Sequence, residues 1–267
     1  MSPIVTCETK AVVERELHKW HGAGNDFLID LGGVPQWWTP ERTRALCDRS
    51  RGVGADGLIV GEVGERVTMV LYNADGSRAE TSGNGVRCLA AAVSRSRGQR
   101  QVVDSVVSIT TDAGEKSVEL TLDDTRGVAT VDMGVVTFAD PPSGAVALAY
   151  VGNPHVVVRD DESWTVTRRA EIAQTMSAAV GGANVEFLRY RDRGHLTLSV
   201  YERGVGWTMA CGTGSCAVAA AARRAGDVDD EVTVVNPGGE LRVSFRGEEV
   251  FLGGPVQFVA TVYWCST

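Results

Sequence analysis

The sequence predicts an α/β (α+β) protein of two pseudo-symmetric domains, each a mostly antiparallel, barrel-like sheet around a central helix. Three observations carry that prediction. The stretch "SGNGVRCLAAAV" from Ser82 is answered by "CGTGSCAVAAAA" from Cys211, each running from Gly-X-Gly into an alanine-rich apolar segment. Tyr72 in "VTMVLYNADGS" precedes Ser82 by ten residues, and Tyr201 in "LTLSVYERGVG" precedes Cys211 by the same ten. Downstream, "VSITTDAGEKSVEL" is matched by "VTVVNPGGELRVSF", in which alternating apolar positions flank a glycine turn and predict a hairpin.

The remaining elements follow in the same order in both halves. "HGAGNDFLID" and "GNPHVVV" each turn on glycine into an apolar strand. "TPERTRALCDRSRGVG" predicts a helix with Thr39 as N-cap, Pro40 in its first turn and Gly52 beyond its end, and "TVTRRAEIAQTMSAAVGG" predicts its counterpart. The short strands "GLIV" and "VEFL" come next. Each half thus reads strand, helix, strand, strand, central helix, hairpin. The halves divide near Met133, giving an N-terminal domain of 1–132 plus 255–267 and a C-terminal domain of 133–254.

Bulk properties narrow the function. At 267 residues the chain has room for two modest cores. A net charge of -8 without any Lys/Arg run argues against nucleic acid or an anionic membrane as partner. No segment has the apolar length of a membrane span, and no signal peptide is read at the start, so the cytoplasm is the expected compartment. The six cysteines are then expected to be reduced thiols. Only Lys10, Lys19 and Lys116 are available to anchor pyridoxal phosphate, and none sits in a glycine-rich cofactor context. No Cys/His pairing has zinc spacing. No metal and no cofactor are expected.

The first turn of a helix carries unpaired N–H groups and partial positive charge, and therefore favours anions. Glycines at 83, 85, 212 and 214 let a ligand approach the backbone closely. Either loop alone fits a plain N-cap serine or a small buried thiol. As a pair, brought together by a pseudo-twofold, they fit one carboxylate held from two sides. A thiol at such a position is expected to have a lowered pKa and to work as a base. Two acid/base groups on opposite faces of one carbon can racemise it without a cofactor.

"HGAGNDF", "GADGLI", "NADGS", "SGNGVRC", "GNPH", "ANVEF", "YERG" and "ACGTGSCA", in this order, resemble the diaminopimelate epimerase family over nearly the whole chain from about Leu17. The resemblance implies a cofactor-independent, two-base epimerase acting on a small amino acid, LL- or meso-diaminopimelate, in lysine and peptidoglycan synthesis. It also implies two domains closing over the substrate, a homodimer, and a last strand, around Val256 to Trp264, that returns to the first domain. Carried over by position, Cys211 matches the second catalytic cysteine. Gly83, Asn84, Gly212 and Thr213 match the backbone that holds the α-carboxylate. Asn25, Asn73, Asn153 and Asn184 match side chains lining the substrate, and Arg203 matches the arginine for its distal carboxylate. Glu202 and His155 match groups beside the two catalytic positions.

The chain departs from the family pattern twice. Ser82 stands where the first catalytic cysteine is expected, and Gly206-Trp207-Thr208 replaces Gly-Glu-Thr. A hydroxyl is a far weaker acid than a thiol and needs an adjacent base. Four readings remain open: an inactivating replacement, a natural asymmetric epimerase in which His155 assists Ser82, a dehydratase or isomerase of a modified amino acid, and an amino-acid-binding protein without catalysis.

Overall fold

The computed structural model of the protein describes residues 13–79 and 82–266. The first half runs β1 (Val13–Gly22), β2 (Asn25–Leu31), a 3-10 turn at Pro35–Trp37, α1 (Pro40–Cys47), β3 (Gly57–Val63), β4 (Val67–Asn73), β5 (Arg78–Ala79), α2 (Gly83–Ser96), β6 (Gln101–Thr111), β7 (Gly114–Asp123) and β8 (Arg126–Val135). The second half runs β9 (Thr137–Ala139), β10 (Ala147–Tyr150), β11 (Pro154–Arg159), α3 (Val166–Ala179), β12 (Asn184–Asp192), β13 (His195–Glu202), β14 (Gly206–Thr208), α4 (Gly212–Ala225), β15 (Glu231–Asn236), β16 (Gly239–Arg246) and β17 (Glu249–Ser266). Among the described residues no helix is long and apolar enough to cross a membrane.

Pairing repeats between the halves. β2 and β3 are parallel, as are β11 and β12. β4 pairs antiparallel with β3 and parallel with β6; β13 does the same with β12 and β15. The hairpins β6–β7 and β15–β16 close each pattern. The last strand of each half then crosses over. β17 leaves β16 after Gly253 and pairs with β1 from Gln257 to Ser266, so the expected return of the final strand is present and longer than Val256 to Trp264. β9, which continues β8, pairs with β10.

The result is a closed eight-strand barrel in the first half, in the order β1-β2-β3-β4-β6-β7-β8-β17. α2 touches all eight of these strands. Its alanines 90, 91 and 92 are fully buried, since only small side chains let a helix sit inside a ring of strands. α4 fills the second half in the same way, with Ala217, Ala219 and Ala222 fully buried. There β8 pairs with β17 as far as Val135 and runs on into β9, which pairs with β10, so the ring closes through the β8–β9 strand.

Local chemistry explains most element boundaries. The Thr39 hydroxyl accepts from Arg42 N–H at 3.3 Å, and the Thr165 hydroxyl accepts from Arg168 N–H at 3.1 Å, so both outer helices start on a threonine cap. α3 ends before Gly181 and Gly182, which take φ of 76° and 111°. α1 corrects the expected end at Gly52. It stops at Cys47, because the Asp48 carboxylate takes the N–H groups of Ser50 and Arg51, each at 2.8 Å, and turns the chain.

Candidate active site

Both central helices begin on the residue that the repeat singled out. Ser82 is extended at φ −146°, and its hydroxyl accepts from Gly85 N–H at 3.1 Å. Cys211 is extended at φ −122°, and its Sγ accepts from Gly214 N–H at 3.3 Å and lies 3.4 Å from the Thr213 hydroxyl. The two helix starts meet. A methyl group placed on Gly212 would lie 3.5 Å from the backbone nitrogen of Asn84, and Gly83 and Gly212 both pack on Leu252 of β17. The backbones of Gly83, Asn84, Gly212 and Thr213 therefore belong to one small region, where the positive ends of two helix dipoles come close, an arrangement that favours an anion.

On the α2 side the side chains form a directed chain of hydrogen bonds. The guanidinium of Arg87, fully buried, donates to Asn84 Oδ1 and to the Gly83 carbonyl. Asn84 donates to Asn25 Oδ1 at 3.1 Å, and Asn25 donates to Asp56 at 2.8 Å. Arg49 then bridges Asp56 and Asp26, and Lys19 pairs with Asp26 at 2.9 Å. The amides of Asn84 and Asn25 are thus fixed in direction by charged groups at both ends. Burial lowers the Arg87 pKa to about 10, which leaves it charged at neutral pH with no carboxylate partner among the described residues.

On the α4 side lie the titratable groups. His155 Nδ1 is 2.7 Å from Glu186 Oε1, and Nε2 is 2.8 Å from Asn153 Oδ1; His155 and Glu186 are both fully buried. His155, Glu186 and Cys211 each present one heteroatom within 4.8 Å of the others. Glu202 accepts from the Thr208 hydroxyl at 2.6 Å. Burial pushes the carboxyl groups of Glu186 and Glu202 above the usual carboxylate range, with His155 opposing the shift at Glu186 and Thr208 opposing it at Glu202.

One expectation is corrected here. The thiol of Cys211 is not tuned downward. Burial raises its pKa well above the ordinary value, and the nearby Glu202 and Glu186 raise it further, against the smaller opposing effects of Thr213 and Gly214 N–H. Cys211 thus lies beside Glu202 and Glu186, whose charges disfavour its thiolate. In one of the four readings His155 assists Ser82; its ring nitrogens are engaged by Glu186 and Asn153.

The other expected residues are distributed around this centre. Asn184 accepts from the backbone N–H of Arg203 at 2.9 Å, fixing the strand end that carries Glu202 and Arg203. The exposed Arg203 side chain reaches only the Gly182 carbonyl, at 3.4 Å, and has no ion-pair partner among the described residues. Asn73 is held within its own turn by Ser77 at 3.0 Å. A cleft of about 540 Å³ opens between the halves, lined on one side by Lys19, Asp26, Arg49 and Asp56 and on the other by Val205, Trp207, Thr208 and Met209. Trp207 packs against Tyr201 and Phe187, with ring centres 5.4 and 5.7 Å away.

Sequence reasoning missed Glu186, Arg87 and Asp56, although all three lie inside quoted motifs. Glu186 had a readable signal. Along β12 Val185 and Phe187 face the α3 cluster, whereas Leu188 faces the core around α4, so the alternation turns Glu186 inward. A carboxylate at an inward strand position is a candidate functional group by that fact alone.

Comparison with known proteins agrees with the geometry. The diaminopimelate epimerase family model matches residues 17–139 and 147–259. The O-ureido-serine racemase of Streptomyces lavendulae is 37% identical, covering 90% of this chain and 92% of its own. The diaminopimelate epimerase of Methanothrix thermoacetophila is 36% identical over the same shares. A hydroxyproline epimerase from Agrobacterium vitis, with trans-4-hydroxy-L-proline bound, shares the fold with a TM-score of 0.75 at 15% identity, covering 96% of this chain and 93% of its own. The chain belongs to the diaminopimelate epimerase family and is an isomerase of the epimerase/racemase class.

Proposed function

We propose that the protein interconverts the two configurations at the α-carbon of a free amino acid, with diaminopimelate or an amino acid of similar reach as substrate. The observation that carries this reading is the meeting of the two helix starts, capped by Cys211 and Ser82, around one anion position. In this reading the N–H groups of Gly83, Asn84, Gly212 and Thr213 bind the α-carboxylate. Their positive ends stabilise the charge that builds on it when the α-proton leaves. Cys211, its own proton passed to Glu202 or the His155–Glu186 pair, removes the α-proton from one face. The Ser82 hydroxyl delivers a proton to the other and regains one from water, while the group that took the Cys211 proton returns its own to solvent.

Arg203, without an acidic partner among the described residues, supports a substrate whose side chain ends in a carboxylate or another group with paired acceptors. Trp207, standing where the family pattern has a carboxylate, lines the cleft and supports a substrate other than diaminopimelate. Relatives named for diaminopimelate and for O-ureido-serine bracket the range to test. The cytoplasm and a homodimer are part of the proposal, as is a domain division at 132/133 and 254/255. The change of partner along β17 between Gly253 and Gln257 supports that division.

A second reading has its own observation. The described titratable groups of the site cluster on Cys211, and none bonds to Ser82. This favours one-base chemistry, such as isomerisation or elimination on a modified amino acid. Chiral chromatography of LL- and meso-diaminopimelate and of L- and D-O-ureido-serine after incubation, beside the Ser82→Cys variant, tests both. Inversion of either substrate by the protein supports epimerisation. A carbonyl product without inversion supports the second reading, and saturable thermal stabilisation with no product points to a binding protein.

A further inference from the structure

We propose that Glu186 is a positioning residue of this site: its carboxylate accepts from His155 Nδ1–H and holds the imidazole in one orientation beside the α4 start. This rests on the reading of Cys211 as an acid/base group. β11 and β12 are parallel with His155 opposite Asn184, so Glu186, two residues further on, shares the inward face with the histidine. The 2.7 Å contact is between two side chains with no solvent exposure, so water neither competes for it nor relaxes it.

The surroundings are shaped to the carboxylate. A methyl group on Gly214 would lie 2.8 Å from Glu186 Oε1 and 3.2 Å from Cγ, so the first turn of α4 closes directly onto this side chain. The same Gly214 N–H donates to Cys211 Sγ. Glu186 thus touches both the ring of His155 and the turn that presents the thiol. Its second oxygen, Oε2, is buried with no hydrogen-bond partner among the described residues, leaving an open acceptor in the interior. One carboxylate oxygen lies within 4.8 Å of both the histidine ring and the Cys211 sulfur, a closeness that stapling two strands does not require. With Nδ1 committed to Glu186 and Nε2 facing Asn153, the rotation of the ring is set.

The test combines spectroscopy with kinetics on the full chain. Nitrogen-15 histidine labelling, with His155→Gln to assign the signal among four histidines, reads the ring directly. The wild type is expected to carry a proton on Nδ1, downfield of the amide region and slow to exchange. Glu186→Gln should move that signal upfield. It should also lower kcat for α-proton exchange tenfold or more with KM within twofold, and add no further loss in a His155→Gln background. A bare Nδ1 in the wild type, a signal unmoved by Glu186→Gln, or losses that multiply in the double variant would overturn the assignment. The wild-type spectrum decides even where Glu186→Gln fails to fold. If no amino acid is turned over yet the signal moves, the proposed reaction fails and the positioning role stands.

Discussion

The two central helices start alike and are equipped differently. At α2 the cap is Ser82, and behind it lies a directed chain from the buried Arg87 through Asn84 and Asn25 to Asp56. At α4 the cap is Cys211, surrounded by Glu202, Glu186 and His155. One start is built around fixed amides and a cation, the other around groups that can exchange protons. In the proposed reaction the duplicated frame keeps a shared task, gripping a carboxylate from two sides, while its halves divide grip from proton transfer.

The sharpest way to break this comparison is to remove the thiol. Cys211→Ala should lower α-proton exchange by about 10²–10⁴-fold, the range for a positioned acid/base group, measured as deuterium uptake. A variant that keeps its rate would place the chemistry elsewhere. Next in size is Ser82→Cys, which makes the starts chemically alike. It should raise the rate of inversion at least tenfold, since a thiol is the more readily ionised group, and chiral chromatography reads it. Removing the distal anchor with Arg203→Met should raise KM by about 10–100-fold, the loss of a charge-assisted contact of roughly 1.5–3 kcal/mol, with a smaller effect on kcat.

The smallest expected effect is on stability. Burial raises the folded-state pKa of Glu202, so folding favours its protonated form. That contribution is fully present below the unfolded value of 4.5 and is lost as pH rises through the folded value. Glu202→Gln should therefore raise Tm at pH 8 and leave it nearly unchanged at pH 4, while costing activity. Equal shifts at both pH values would mean that the carboxyl group titrates as it does in the unfolded chain.

Much of this was legible in the sequence because the repeat is local. The caps at Ser82, Cys211, Thr39 and Thr165, the hairpins and the central helices each follow from neighbouring residues. The exchange of last strands was legible only through family resemblance, since the two-residue β5 and three-residue β9 and β14 carry too few alternating positions to announce themselves. The state of Cys211 was not legible at all. A helix N-terminus argues for a lowered thiol pKa, and only the fold shows burial and two carboxyl groups outweighing it. Arg87 was hidden similarly, because nothing in "SGNGVRC" says that its guanidinium turns inward onto Asn84 rather than out to solvent.

The most direct test of the central claim, that Ser82 and Cys211 flank one α-carbon, is the isotope pattern in deuterium oxide. A single configuration of a turned-over amino acid is supplied, and both isomers are analysed by proton NMR at early times. The account predicts deuterium at the α-carbon of the inverted product, while the unreacted substrate keeps its proton, because removal and delivery use opposite faces. Deuterium accumulating in the starting isomer without inversion would contradict it, leaving Cys211 as a base with no partner across the carbon.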